Sequence, residues 1–290
     1  MRWPAAEGQM DGMRRSISAQ HGRARRRLVA ALTGLLALLS AVTATPAAGE
    51  SIPERGTAYM GIGIMAHDGI TGSPDSSPPT TRTVHSQGVD VSSHQREVAW
   101  STLWSSGVNW AYTKATEGTF YRNPYFDQQY DGAYDTGMIR GAYHFATPDS
   151  SSGTAQADYF VDHGGGWAGD GRTLPGALDV EWNPYGDSCY GKSESGMVTW
   201  IRDFLNRYRA RTGRDAVIYT SAAWWASCTG DYAGFGSNPL WVARYASSVG
   251  ELPAGWSSYT MWQYTASGQT VGDHDKFNGT ADKLRQFADD

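Results

Sequence analysis

From Gln87 onward the chain alternates short apolar runs with stretches of helical periodicity, and this rhythm limits the possible folds more than any single residue does. Strand-like runs at residues 88–92, 108–114, 138–145, 174–181 and 216–220 are each followed by a helical pattern. Those patterns cover residues 97–106, 124–136 with Pro124 in the first turn, 154–163, and the long 193–211 stopped by Gly213, then a short Trp-rich helix. Three further runs, 240–245, 259–264 and 269–273, follow with little space for helices between them. Five strand–helix units and three bare strands predict an α/β fold, a TIM-like (β/α)5(β)3 parallel barrel in a single domain. An open doubly wound sheet is the alternative, but no Gly-x-Gly-x-x-Gly turn follows a strand.

A barrel places its chemistry at the C-terminal ends of its strands. Here those ends carry Asp90, Lys114, His144, Asp179 with Glu181, Tyr219, Arg244, Gln263 and Asp273. In Leu174-Pro-Gly-Ala-Leu-Asp-Val-Glu-Trp182, alternation sets Ala177, Asp179 and Glu181 on one face and Leu178 and Val180 on the other. Carboxyl-bearing side chains two residues apart on a strand start about 6–7 Å from one another. That separation suits a proton donor and a charge stabiliser flanking a glycosidic bond. Asp90 lies between two valines and so faces away from them. His144 shares its face with Ala142 and reads as a packing histidine. Tyr143, Tyr219, Trp241 and Trp262 are the candidate sugar contacts, the two tryptophans as the floor of a groove. Asp273-His-Asp275 lacks the companion ligands of a metal site, and no Gly-x-Ser-x-Gly elbow occurs, so neither metal nor cofactor is expected.

The N-terminus has a different character. Arg23 and Arg25 to Arg27 precede the apolar run Leu28 to Val42 and then small residues through Ala48. Residues 1–48 read as a secretory signal, too short in its apolar run to be a membrane anchor, with Met10 and Met13 as alternative starts. Residues 49–84 read as a Gly/Pro/Ser/Thr-rich linker or pro-like segment, and residues 85–290 as the catalytic barrel. Within the linker, Tyr59-Met-Gly-Ile-Gly-Ile-Met65 is an apolar island suited to packing on the domain. Removing seven arginines and two acids with the leader takes the net charge from −5 to −10, which argues against nucleic acid as a partner. Nothing signals an oligomer, so a monomer is expected. The two cysteines, Cys189 and Cys228, lie in the exported part, where a disulfide is the expected state.

Six stretches carry a family resemblance: Gly88-Val-Asp-Val-Ser92, Ala111-Tyr-Thr-Lys-Ala-Thr-Glu-Gly118, Gly141-Ala-Tyr-His-Phe145, Leu178-Asp-Val-Glu181, Leu240-Trp-Val-Ala-Arg-Tyr245 and Met261-Trp-Gln-Tyr-Thr265. In order and spacing they resemble the glycoside hydrolase family 25 lysozymes of the Chalaropsis or cellosyl type, from about residue 85 to the C-terminus. The resemblance implies a secreted N-acetylmuramidase acting on the β-1,4 bond between N-acetylmuramic acid and N-acetylglucosamine of bacterial peptidoglycan. It also implies Glu181 as general acid beside Asp179, with Asp90 and Asp273 completing an acidic quartet. Asp275 stands where family members usually have Asn, which would raise a neighbour's pKa and shift the pH optimum. The resemblance leaves a substrate-assisted retaining route and an inverting one both open. A chitinase-like glycosidase and a non-catalytic glycan-binding barrel are the other readings. The first lacks its usual Asp-x-x-Asp-x-Asp-x-Glu strand, and the second would not need four acids.

Overall fold

A computed structural model describes residues 52–70, 85–268 and 270–290. The leader read at residues 1–48 and the Ser/Pro-rich stretch at 73–79 lie outside the described residues.

In chain order the elements begin with the short helix α1 (Ile62–His67), then β1 (Ser86–Val91), α2 (Trp100–Ser105), β2 (Trp110–Glu117) and the two-residue β3 (Tyr121–Arg122). Next come α3 (Phe126–Asp135), β4 (Ile139–Phe145), α4 (Gly153–Phe160) and a π-turn over Val161–Gly165. After β5 (Ala177–Asp179) follow α5 (Glu194–Thr212), β6 (Val217–Thr220), α6 (Ala222–Thr229), β7 (Leu240–Ala243), β8 (Met261–Thr265), β9 (Asp273–Phe277) and α7 (Ala281–Asp289).

The sheet runs β1-β9-β8-β7-β6-β5-β4-β2 and closes through β1–β2, an eight-stranded barrel with β3 as a hairpin return on β2. Apart from the hairpin return β3, the strands from β1 to β8 are parallel, as the alternation predicts. The last strand departs from the expectation: it spans Asp273–Phe277, not 269–273, and is antiparallel to both β8 and β1. With no helix between β8 and β9, the chain turns directly and returns down the barrel, as a short connection requires. Asp273 therefore opens its strand instead of ending it, yet sits at the same mouth, paired in register with Asp90.

Alternation sorts each strand into two environments. Trp110, Tyr112, Tyr143, Ala177, Val217, Tyr219, Trp241 and Phe277 share the cluster that fills the barrel, which also takes in Leu284 and Ala288 of α7. Leu178, Val180, Ile218 and Ala142 instead meet Met197, Trp200, Ile201, Phe204 and Tyr208 of α5. The four later helices begin where a hydroxyl satisfies a free backbone N–H: Ser152, Ser193, Ser221 and Thr280 cap α4, α5, α6 and α7. Each such cap contributes about 1 kcal/mol. α5 stops where Gly213 adopts φ 76°, a left-handed conformation in which glycine is free of the usual Cβ strain. Cys189 and Cys228 form the expected disulfide, tying the loop after β5 to α6. Closing a loop of this length stabilises by about 3–4 kcal/mol in the chain-entropy account.

Candidate active site

β5 ends at Asp179, and Glu181 lies just beyond it on the same face. Both are buried at the mouth, together with Asp90, Asp273 and Asp275. Asp179 faces Glu181 closely enough for the two carboxyls to share a proton, and neither of its oxygens has any other hydrogen-bond partner among the described residues. Burial, then the nearby charges of Glu181 and Asp90, push its carboxyl well above the usual range, while Lys114 pulls it back. Burial also drives Glu181 up to about 8, against the downward pull of two backbone amides. Those amides belong to Gly61 and Gly63, which donate to Glu181 Oε1 and Oε2 at 2.6 and 2.8 Å.

Gln263 organises the other acids. Its Oε1 accepts from the hydroxyls of Tyr219 (2.6 Å) and Tyr245 (2.9 Å). That fixes the amide so that Nε2 points at Asp90 Oδ2 (2.7 Å) and Asp273 Oδ2 (3.4 Å). Burial raises Asp90 to about 7, with the Gln263 bond acting in the opposite direction. Asp273 rises through burial and then the charges of Asp90 and Glu181. Asp275 accepts from Trp241 Nε1 (3.0 Å) through one oxygen, while its other oxygen has no partner among the described residues. Burial raises it first and Asp90 second, and the two acids are two positions apart in the β1–β9 register.

The sequence-predicted residues are thus sorted by strand face. Asp90, Asp179, Glu181 and Asp273 converge, and Tyr143 and Tyr219 stand beneath them. The two tryptophans do not form a groove floor. Trp241 is fully buried inside the barrel and supports Asp275 from below, with no face open to a sugar. Trp262 lies on the outer side of β8 with Leu240 and Val242, its Nε1 donating to the Arg244 carbonyl. The alternation that turns Gln263 inward turns Trp262 outward. His144 is, as expected, a packing residue: Thr116 and Gln156 occupy its two ring nitrogens, and burial lowers it to about 3.

Two features of the mouth are not read from the sequence: the placement of Trp182, and the partner of Lys114, which is itself expected at a strand end. Trp182, the residue after Glu181, lines a cavity of about 570 Å³ with Ser221, Arg244 and Tyr245, and is the aromatic best placed for a sugar ring. Lys114 forms a buried ion pair with Glu117 at 2.6 Å. Glu117 also accepts from Tyr185 (2.6 Å), whose loop the disulfide holds in place.

Three comparisons bear on this arrangement. Residues 89–273 match the family profile described as glycosyl hydrolases family 25. Lysozyme M1 of Streptomyces globisporus is 47% identical over 283 residues, covering 92% of this chain and 96% of that protein. N,O-diacetylmuramidase of a Chalaropsis species is 48% identical over 207 residues, covering 70% of this chain and 98% of its own. The crystal structure of the bacterial lysozyme from Streptomyces coelicolor matches with a TM-score of 0.69 and 51% identity, covering 73% of this chain and 99% of that one. With the profile spanning well over half its length, the chain belongs to glycosyl hydrolase family 25.

Proposed function

We propose that the protein is a secreted N-acetylmuramidase that hydrolyses the β-1,4 bond between N-acetylmuramic acid and N-acetylglucosamine in bacterial peptidoglycan. The observation that carries the reading is the pair Asp179 and Glu181, two carboxyls buried side by side at the barrel mouth with pKa values raised. Burying adjacent acids without a cation for each is unfavourable unless one keeps its proton, and a general acid needs that proton at working pH. The muramidase and lysozyme names of relatives at 47–48% identity support the same substrate.

Glu181 protonates the leaving oxygen. Asp179, beside it on the same face, orients the 2-acetamido group of the muramic acid as that group attacks the anomeric carbon. Asp90 and Asp273, held by Gln263, set the charge of the mouth; Tyr143, Tyr219 and Trp182 contact the glycan. Attack by the acetamido group followed by water retains the anomeric configuration, and NMR of the fresh product reads it directly. Residues 1–48 act as the export signal, residues 49–84 precede the catalytic barrel at 85–290, and the enzyme works outside the cell as a monomer.

The deciding test is digestion of purified peptidoglycan, borohydride reduction of the new ends, and mass spectrometry. Muramitol ends are expected. Glucosaminitol ends, or activity confined to chitin oligomers, would remove the muramidase assignment.

A further inference from the structure

In the full chain, the acid that must reach a glycan oxygen has no solvent exposure: Glu181 is 0% accessible and Asp179 is 1%. What covers them is the chain's own segment from Gly56 to Asp68. Its contacts run the length of the mouth and are made mostly by main chain. Gly56 N donates to Glu117 Oε1 (2.8 Å), and the carbonyls of Gly56 and Ala58 accept from Lys114 Nζ. Ala58 N donates to the Tyr185 hydroxyl (3.1 Å) and Met60 N to that of Tyr143 (3.3 Å). Gly61 and Gly63 then take both oxygens of Glu181.

The side chains complete the seal. Met60 and Ile64 are fully buried in the barrel's aromatic cluster. His67 stacks on Trp182, ring centroids 4.5 Å apart at 17°, and Asp68 accepts from Trp182 Nε1 (2.8 Å). The aromatic face suited to a sugar ring is therefore occupied.

The two glycines are required by this approach. A Cβ on Gly61 would lie 2.1 Å from the Tyr245 hydroxyl and 2.9 Å from Gln263 Oε1. A Cβ on Gly63 would lie 2.6 Å from Trp182 Cβ and 2.7 Å from its carbonyl oxygen. Only a bare backbone comes this close to the acids.

We propose that residues 56–68 are an intramolecular inhibitor seated in the glycan groove, and that the full chain is latent until this segment is severed from the barrel. The inference rests on the muramidase reading above. Severing is hydrolysis of one peptide bond by an external endopeptidase, water supplying hydroxyl to the acyl carbon and a proton to the departing amine. Blockage is steric and also takes up the acid's hydrogen-bonding positions: the Gly61 and Gly63 amides hold both oxygens of Glu181, where a glycan oxygen would have to approach. The Chalaropsis enzyme aligns over 207 residues, about the length of the barrel 85–290 by itself. The Streptomyces globisporus protein matches 92% of this chain, more than residues 85–290 can supply, and so carries N-terminal sequence of the same kind.

The test uses the full exported chain with a specific protease site introduced between Ile70 and His85. Peptidoglycan digestion and amide hydrogen exchange are followed before and after cutting. The expected result is slow exchange at Gly61 and Gly63 in the uncut chain, and at least a tenfold rise in digestion once the cut chain is diluted. Gly63→Val in the uncut chain should raise activity to a similar degree, whereas Met65→Ala, at an exposed segment position, should not. Equal activity of cut and uncut chains, or a loss on cutting, would overturn the inhibitory role while leaving the muramidase assignment standing. A cut chain that frees both amides yet digests nothing would remove the muramidase reading, and the inhibitor with it.

Discussion

Two buried ionic clusters share the barrel mouth and could hardly differ more. Lys114 and Glu117 have no exposed side-chain surface, but each meets a full set of partners: the ion pair itself, Tyr185, and main-chain groups of Gly56 and Ala58. Asp179 and Glu181 are buried as deeply without a cation of their own, and Asp179 has no hydrogen-bond partner among the described residues other than Glu181. A pair matched by a counter-charge holds its charges and fixes geometry; a pair of acids without one holds a proton that chemistry can use. Burial alone does not distinguish structure from chemistry at this mouth. Partners do.

The comparison is broken most severely by Glu181→Gln. The amide cannot donate a proton to the leaving oxygen, and turnover of the cut enzyme should fall about 10²–10⁴-fold. Circular dichroism and melting should stay native, since an uncharged, unstrained side chain replaces a buried acid. The reverse pattern is expected of Glu117→Gln, which leaves Lys114 buried without a counter-charge. Urea unfolding should show a loss of about 3–5 kcal/mol.

Titration sharpens the contrast. Asp90 and Glu181 are raised in the folded chain to about 7 and about 8, above ordinary values of 3.8 and 4.5. Folding therefore retains protons that the unfolded chain would release. Their contribution to stability is full below about pH 4 and is lost as pH rises through 7 to 8. The melting temperature should fall between about pH 5 and about pH 9, and a flat profile would contradict the protonated cluster. The smallest effect is expected from Asp275→Asn, which removes the acid standing in the usual Asn position while keeping an oxygen for Trp241 Nε1. Melting at the alkaline end should improve by on the order of 1 kcal/mol, with the pH slope reduced.

Why one cluster was legible in the sequence and the other was not follows from strand regularity. Asp90, Asp179 and Glu181 obey strict alternation, so their inward direction can be read residue by residue. Lys114 and Glu117 are three apart, which on a regular strand means opposite faces. They meet because the β2–β4 register shifts between Lys114 and Thr116. Ala115 then joins the outer helix-facing cluster, Thr116 bonds His144, and Glu117 turns back inward beside Lys114. No periodicity records a bulge. Trp262 lies on the outer face of its strand, whereas Trp241 faces inward as the acids do but lies deeper, beneath Asp275; nearness to a strand end settles neither face nor depth. The helical pattern at 124–136 was shortened to Phe126–Asp135, a difference confined to the ends. The direction of β9 was readable in principle, because the connection from β8 is too short for a parallel crossover and leaves only an antiparallel return. The Tyr59–Met65 island packs on the domain as its apolar residues suggest, but its contact with Glu181 had no local sign, since backbone amides make it to a residue more than a hundred positions away.

The reversed last strand has a consequence for the life of the chain. Asp90 belongs to the first strand of the barrel and its register partner Asp273 to the last, so the closure joins residues from opposite ends of the domain. A chain made from its N-terminus has helices α2 to α6 before it has the strand that seals the cylinder. Contacts of such long sequence separation form late and slowly. The acids that define the mouth thus come together only when synthesis is complete, and a chain stopped before Gly272 carries Glu181 but no closed barrel around it. Completion of the polypeptide is itself a checkpoint, placed ahead of any control exerted afterwards.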